Sequence, residues 1–215
     1  MNKIPRFAAL LLCCGCQSPP PALPPLAQDA VILAFGDSLT FGPRVDPQQN
    51  YPAQLARMTG RKVVNAGISG ESSPYGLARL PGVLDKVHPD LLILCHGAND
   101  LLWFKGKEGP EAGLKANLSQ MIQLAKARHI PVLLLAVPRM TVIYPPKQWP
   151  KVRISAPPAL YAELAEKFEL PIEADILERV LANSKLLTDF VHPDATGYHM
   201  IAESVVQKLR QSGAI

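Results

Sequence analysis

Four short stretches carry side chains suited to bond chemistry. They are Gly36-Asp37-Ser38-Leu39, Asn65-Ala66-Gly67-Ile68-Ser69-Gly70, Gly97-Ala98-Asn99-Asp100 and Asp189-Phe190-Val191-His192-Pro193. Ser38 stands just beyond an apolar run, where a serine is a nucleophile, a helix cap or an ordinary turn residue. As a nucleophile it needs a base, because a hydroxyl is weak until its proton is removed, and histidine suits that task. His192 is the candidate base. Asp189, three residues earlier in the same loop, can reach back to the ring and fix its tautomer and orientation. Plainer readings stand beside these. His192 could stabilise the turn before Pro193, and Asn99 taken alone could be a structural turn residue. The chain has no G-x-S-x-G elbow, P-loop or G-x-G-x-x-G.

These residues must be held by something, and the hydrophobic pattern says what. Short, almost wholly apolar runs occur at 30–35 (AVILAF), 62–66 (KVVNA), 90–96 (DLLILCH) and 131–137 (PVLLLAV), with a weaker one at 170–174. Such runs predict strands buried on both faces of a parallel sheet. Helix-length segments lie between them. Leu114, Leu118, Met121, Ile122 and Ala125 share one helical face. The last helix presents Tyr198, Ile201, Ala202, Val205, Val206 and Leu209, with Asp194 placed to cap it. Alternating strands and helices predict an α/β fold: three layers, α/β/α, around a five-stranded parallel sheet. In open sheets of this kind the site lies beyond the carboxyl ends of the strands. The apolar runs end in GDSLT, NAGISG, HGAND and VPRM, so the chemistry gathers at one edge.

The four blocks, taken in order, resemble the SGNH or GDSL hydrolases, and within them the thioesterase I/lysophospholipase L1 and arylesterase-like branch. The resemblance spans nearly all of residues 30 to 210 and implies the flavodoxin-like SGNH fold. It assigns Ser38, His192 and Asp189 to a catalytic triad. It also assigns the backbone N–H groups of Ser38 and Gly70 and the side-chain amide of Asn99 to an oxyanion hole. Among the other polar residues, Asp37 reads as a hydrogen-bonding brace, and Asp100 and Asp194 carry no catalytic role. Cys95 and His96 are adjacent on a strand and point to opposite faces, so they make no thiol–imidazole pair. Cys95 reads as a small core residue, and His96 either narrows the pocket or packs against a helix. His199 reads as a helix-surface or packed residue, and His88 and His129 as solvated loop positions. No metal or other cofactor is expected, since the His and Cys residues lack ligand spacing.

The N-terminus reads as an address rather than as fold. Lys3 and Arg6 precede the apolar segment Phe7 to Cys14, which is far below the roughly 20 residues of a membrane span. The Cys-Cys-Gly-Cys run that follows resembles a bacterial lipoprotein signal over residues 1–16, with Cys16 as the lipid-modified new N-terminus. An ordinary cleaved signal, or cleavage at Cys14, is the alternative. A Pro-rich tether over 17–29, extended and unable to pack, would let a domain over 30–215 stand off a membrane. The expected location is the cell envelope, on the periplasmic face of a membrane. Cys95 would then be the one remaining thiol, which excludes an intramolecular disulfide. Of the 215 residues 48% are hydrophobic and 19% charged, as in a globular domain. Setting aside Lys3 and Arg6 leaves 20 basic against 18 acidic residues, with no Lys/Arg block, so nucleic acid is not an expected partner.

Two inserts bear on the substrate. Residues 101–113 hold Trp103 and Phe104. Residues 138–158 hold Met140, Ile143, Tyr144 and Trp149 beside Lys147, Lys151 and Arg153. Apolar side chains beside basic ones would suit an acyl chain entering from a lipid surface; alternatively, the aromatics simply pin long loops. Three functions follow. The first is a membrane-tethered serine esterase acting on small-molecule or lipid acyl esters, lysophospholipids and aryl esters among them. The second is a carbohydrate O-acetyl esterase of the cell envelope, and the third an inactive binding lipoprotein.

Overall fold

The computed structural model describes residues 21–103, 111–143 and 151–215. The first strand, β1 (Val31–Gly36), is followed by a single helical turn, α1 (Ser38–Phe41), and by α2 (Tyr51–Thr59). Next come β2 (Lys62–Gly67), α3 (Ser73–Val87), β3 (Leu91–Cys95), α4 (Ala98–Trp103), α5 (Glu111–Lys126) and β4 (Val132–Leu135). The chain then forms β5 (Arg139–Ile143), β6 (Lys151–Ser155), α6 (Leu160–Phe168), β7 (Ile172–Glu173) and α7 (Ile176–Leu181). A 3-10 turn over Ser184–Leu186 leads to the terminal helix α8 (Ala195–Gln211).

Five strands form one parallel sheet in the order β2-β1-β3-β4-β7. Every residue of β3 and β4 is buried, which is why these strands are unbroken apolar runs in the sequence. The edge strand β2 is only half covered. Helices α3, α5 and α6 pack side by side, and α2, α7 and α8 form the second group, giving the three-layer α/β/α fold. Chain order runs outward from β1 to β2 on one side and to β3, β4 and β7 on the other. The carboxyl ends of β1 and β3 therefore flank a topological switch point, where open α/β sheets hold their ligands.

Both helical faces read from the sequence are the buried ones. Helix α5 buries Leu114, Leu118, Met121, Ile122 and Ala125, and α8 buries its stripe from Tyr198 to Leu209. Asp194 caps α8 by accepting from Gly197 N–H at 2.7 Å. His88 and His129 are exposed and sit at left-handed positions where helical segments end.

Two features depart from the sequence reading. The second half of the Pro-rich segment does pack: Leu23 is buried, and Leu26 lies partly buried against the core. Their N–H groups donate to the carbonyls of Ser212 and Ala214 at 2.8 and 2.9 Å. Arg61 donates to the carbonyls of Leu26 and Ala27. An extended Pro-rich chain makes no internal hydrogen bonds, so its non-proline N–H groups are free to bind another chain segment, and the two leucines supply apolar surface to bury. Cys16 and the rest of residues 1–20 lie outside the described residues. The second departure is the 138–158 insert, which contains an antiparallel ladder. Strands β5 and β6 pair Met140 with Ile154 and Val142 with Val152. From Arg139 to Val142 and from Lys151 to Ser155 the sequence alternates polar and apolar residues, the pattern of a strand buried on one face. Trp149, Tyr144, Lys147 and Phe104 lie outside the described residues.

Candidate active site

The loop after β1 is built on a close approach. A Cβ on Gly36 would lie 1.9 Å from the carbonyl oxygen of Cys95, so only glycine lets β1 and β3 run this near each other at their ends. The next residue, Asp37, is fully buried. Its Oδ1 caps α1 by accepting from Leu39 N–H at 3.0 Å, and its Oδ2 accepts from Gly97 and Ala98 N–H at 3.3 and 2.9 Å. Burial raises its pKa even against these three donors. Asp37 thus braces the β1 loop against the β3 loop and leaves Ser38 at the first position of α1. Asn65 fixes the other side: its amide donates to the carbonyls of Thr40 and Phe41, and its Oδ1 accepts from Gly67 N–H.

The last loop brings its own pair. Asp189 Oδ1 accepts from the N–H groups of Val191 and His192, both at 2.9 Å, so the carboxylate organises the turn that carries the histidine. Asp189 Oδ2 lies 2.8 Å from His192 Nδ1, and His192 Nε2 lies 3.0 Å from Ser38 Oγ. A carboxylate only accepts, which puts the ring hydrogen on Nδ1 and leaves Nε2 to accept the Ser38 hydroxyl. Partial burial alone would raise the Asp189 pKa. The hydrogen bonds from the His192 ring and from the two backbone N–H groups outweigh it and hold the carboxyl below its ordinary value. Arg44, which the sequence reading passed over, forms an ion pair with the same Oδ2 at 3.0 Å.

Gly70 and Asn99 stand on the other side of Ser38. Gly70 adopts a left-handed φ of +78°, which glycine accepts without strain. The Asn99 amide donates one of its two hydrogens to the Glu71 carbonyl at 2.9 Å, and among the described residues the second has no acceptor. Among the described residues, the N–H groups of Ser38 and Gly70 have no hydrogen-bond acceptor. Asp100, next to Asn99, is a tertiary cap: its carboxylate accepts from both the N–H and the hydroxyl of Ser73, at the start of α3. Together these groups border a cavity of about 370 Å³ that brings Ser38, Gly70, Asn99, Asp189 and His192 together. Leu102, Met140, Phe190 and Val191 supply apolar wall.

Cys95 is fully buried, and burial drives its thiol pKa far up, so it is a core residue and no nucleophile. His96 is fully buried but does not line the cavity. It pairs with Glu71 and fills the space left by Gly76, where a Cβ would lie 2.4 Å from the ring. Of the two roles open to it, packing against a helix is the one found. His199 lies on α8 with its Nδ1 2.7 Å from Gln54 Oε1, away from the cavity. Among the described residues, no group of three or more His, Cys, Asp or Glu side chains is arranged to hold a metal.

Comparison with known proteins gives a consistent result. Residues 34–200 match the model of the GDSL-like lipase/acylhydrolase family. An arylesterase of Vibrio mimicus is 32% identical over 185 residues, covering 83% of this chain and 87% of the relative. Thioesterase 1/protease 1/lysophospholipase L1 of Escherichia coli is 31% identical over 182 residues, 83% of each chain. The crystal structure of TesA superposes with a TM-score of 0.68 at 28% identity, covering 84% of this chain and 98% of that one. With this architecture, and with a serine, a histidine and an aspartate in line at the switch point, the chain belongs to the GDSL-like lipase/acylhydrolase family and is a carboxylic ester hydrolase.

Proposed function

We propose that Ser38 is the nucleophile, His192 the general base and Asp189 the group that orients it, in a hydrolase of small-molecule and lipid acyl esters. The observation that carries this reading is the line Ser38 Oγ, His192 Nε2, His192 Nδ1, Asp189 Oδ2, with steps of 3.0 and 2.8 Å, opening onto an apolar-walled cavity. Ser38 Oγ attacks the ester carbonyl carbon as His192 Nε2 takes its proton. The tetrahedral oxyanion is held by the N–H groups of Ser38 and Gly70 and the second amide hydrogen of Asn99. His192 then returns the proton to the departing alkoxide, leaving an acyl-serine. A water deprotonated by the same nitrogen releases the acid and restores Ser38. The ionised Asp189 stabilises the imidazolium in each half. Neither half needs a cofactor.

The cavity favours acyl groups longer than acetyl. Its volume falls at the small end of the roughly 300–1,000 Å³ usual for small-molecule sites, and an acetyl group alone would leave most of that apolar wall uncovered. Hydrolysis of p-nitrophenyl esters from about two to sixteen carbons, with lysophospholipid and acetylated glycan alongside, tests this. Turnover is expected to peak at medium or longer chains. Confinement to acetyl esters would overturn this reading, and turnover of the acetylated glycan would then support the carbohydrate O-acetyl esterase.

The proposed setting is the cell envelope, with a lipid anchor at Cys16; the basic and apolar N-terminus followed by Cys-Cys-Gly-Cys supports it. Palmitate incorporation is expected in the wild type and lost in Cys16→Ala, and label retained in that variant would refute the anchor.

A further inference from the structure

Next to the Gly70 loop, Glu71, Arg79 and His96 form a buried charged cluster that no step of the ester hydrolysis uses. Glu71 is 8% exposed and His96 is wholly enclosed. The Arg79 guanidinium meets both carboxylate oxygens of Glu71 at 2.7 Å, and His96 Nε2 lies 3.1 Å from Glu71 Oε2. Since the carboxylate only accepts, His96 Nε2 is the donor. We propose that this cluster is a clamp for the oxyanion donors, with Glu71, Arg79 and His96 as positioning residues. The proposal rests on the assignment of Gly70 and Asn99 as those donors.

Both donors depend on Glu71. Gly70 precedes it in the chain, and among the described residues nothing lies within 4 Å of where a Gly70 Cβ would stand, so their packing on that side does not hold the residue. Asn99 is oriented by its bond to the Glu71 carbonyl. A shift of Glu71 would therefore move one N–H and turn the other amide. The cluster resists such a shift through three charge-assisted bonds, which are shorter and stronger than neutral ones. Arg79 is itself anchored at the strand ends, donating to the carbonyls of Ala66 at 2.8 Å and Gly36 at 3.3 Å. Its guanidinium lies 3.9 Å from the Phe35 ring centroid. Gly36 ends β1 two residues before Ser38, so one guanidinium ties the strand that leads to Ser38 to the residue that sets both donors. Burial works to raise the Glu71 pKa, but the His96 and Arg79 bonds outweigh it and hold the carboxyl below its ordinary value. Buried ion pairs add little net stability over apolar packing; fixing one geometry is the use assigned to this one.

A double-mutant cycle tests the clamp, with kcat and KM on p-nitrophenyl butyrate and thermal midpoints for each variant. Asn99→Ala is expected to lower kcat by about 10²–10³-fold, the usual loss for one oxyanion donor. Glu71→Gln is expected to lower kcat by about 10–100-fold with KM nearly unchanged, because a donor displaced by an ångström fails mainly in the transition state. Arg79→Lys keeps the charge but not the two-pronged contact, and should lose less than Glu71→Gln while staying below wild type. The clamp predicts that Glu71→Gln with Asn99→Ala loses much less than the product of the single losses. Multiplicative losses would overturn it, as would wild-type kcat in both Glu71→Gln and Arg79→Lys while Asn99→Ala is impaired. Wild-type activity in Asn99→Ala would overturn the oxyanion assignment itself, and the clamp with it. Should Glu71→Gln not fold, Arg79→Lys with Asn99→Ala gives the same comparison.

Discussion

Replacing Ser38 with alanine is expected to lower kcat on p-nitrophenyl esters by on the order of 10⁴–10⁶-fold, the range for loss of a nucleophile that works as one unit with its base. The fold should survive. Ser38 Oγ has His192 Nε2 as its partner, and both face the cavity, so the variant leaves no enclosed polar atom stranded. The Asp37 brace, which holds the loop, is untouched. KM and the thermal midpoint should therefore stay close to wild type. A variant that still turned over at even about a hundredth of the wild-type rate would mean that another group attacks the ester.

Asp189→Asn is expected to cost about 10⁴-fold in kcat, although the side chain barely changes in size. Among the described residues the wild-type carboxylate meets only donors. Oδ1 receives the N–H groups of Val191 and His192, while Oδ2 receives His192 Nδ1–H and the charge of Arg44. An amide has one acceptor end and one donor end. With the NH₂ facing the ring, His192 must drop the Nδ1 hydrogen and place it on Nε2, where it can no longer accept from Ser38. With the NH₂ facing the backbone, two N–H groups lose their acceptor and the turn that presents His192 is disturbed. Either orientation removes the base, and the anion that stabilises the imidazolium is gone in both. Steady-state kinetics on the purified variant, beside circular dichroism to establish folding, measure this. A loss of less than about tenfold in a folded variant would show that Asp189 does not govern the histidine.

The five parallel strands were legible because strands buried on both faces leave continuous apolar runs, as in Leu91–Cys95. The helices α5 and α8 were legible from their stripes, and the four blocks fell at strand ends and in the last loop. The β5–β6 ladder was missed although Arg139–Val142 and Lys151–Ser155 alternate, because prolines and aromatics between the strands obscured the pairing. Arg44, Glu71 and Arg79 were missed for a different reason. Each acts through a partner that only the tertiary fold brings near, and a single charged residue near a motif carries no local signature. Glu71 directly follows Gly70, and that adjacency was the one available hint. Leu23 and Leu26 show the same limit, since composition marks the Pro-rich segment as extended without saying what it lies against.

The central claim is that Ser38, activated by His192, is the attacking group. Fluorophosphonate labelling followed by mass spectrometry of the digested protein tests it most directly, in the wild type and in His192→Ala. The account predicts a single adduct per chain, on the peptide that carries Ser38, formed at least about 10³-fold more slowly without the histidine. An adduct on another residue, or an unmodified Ser38 in an enzyme that the reagent has silenced, would contradict it.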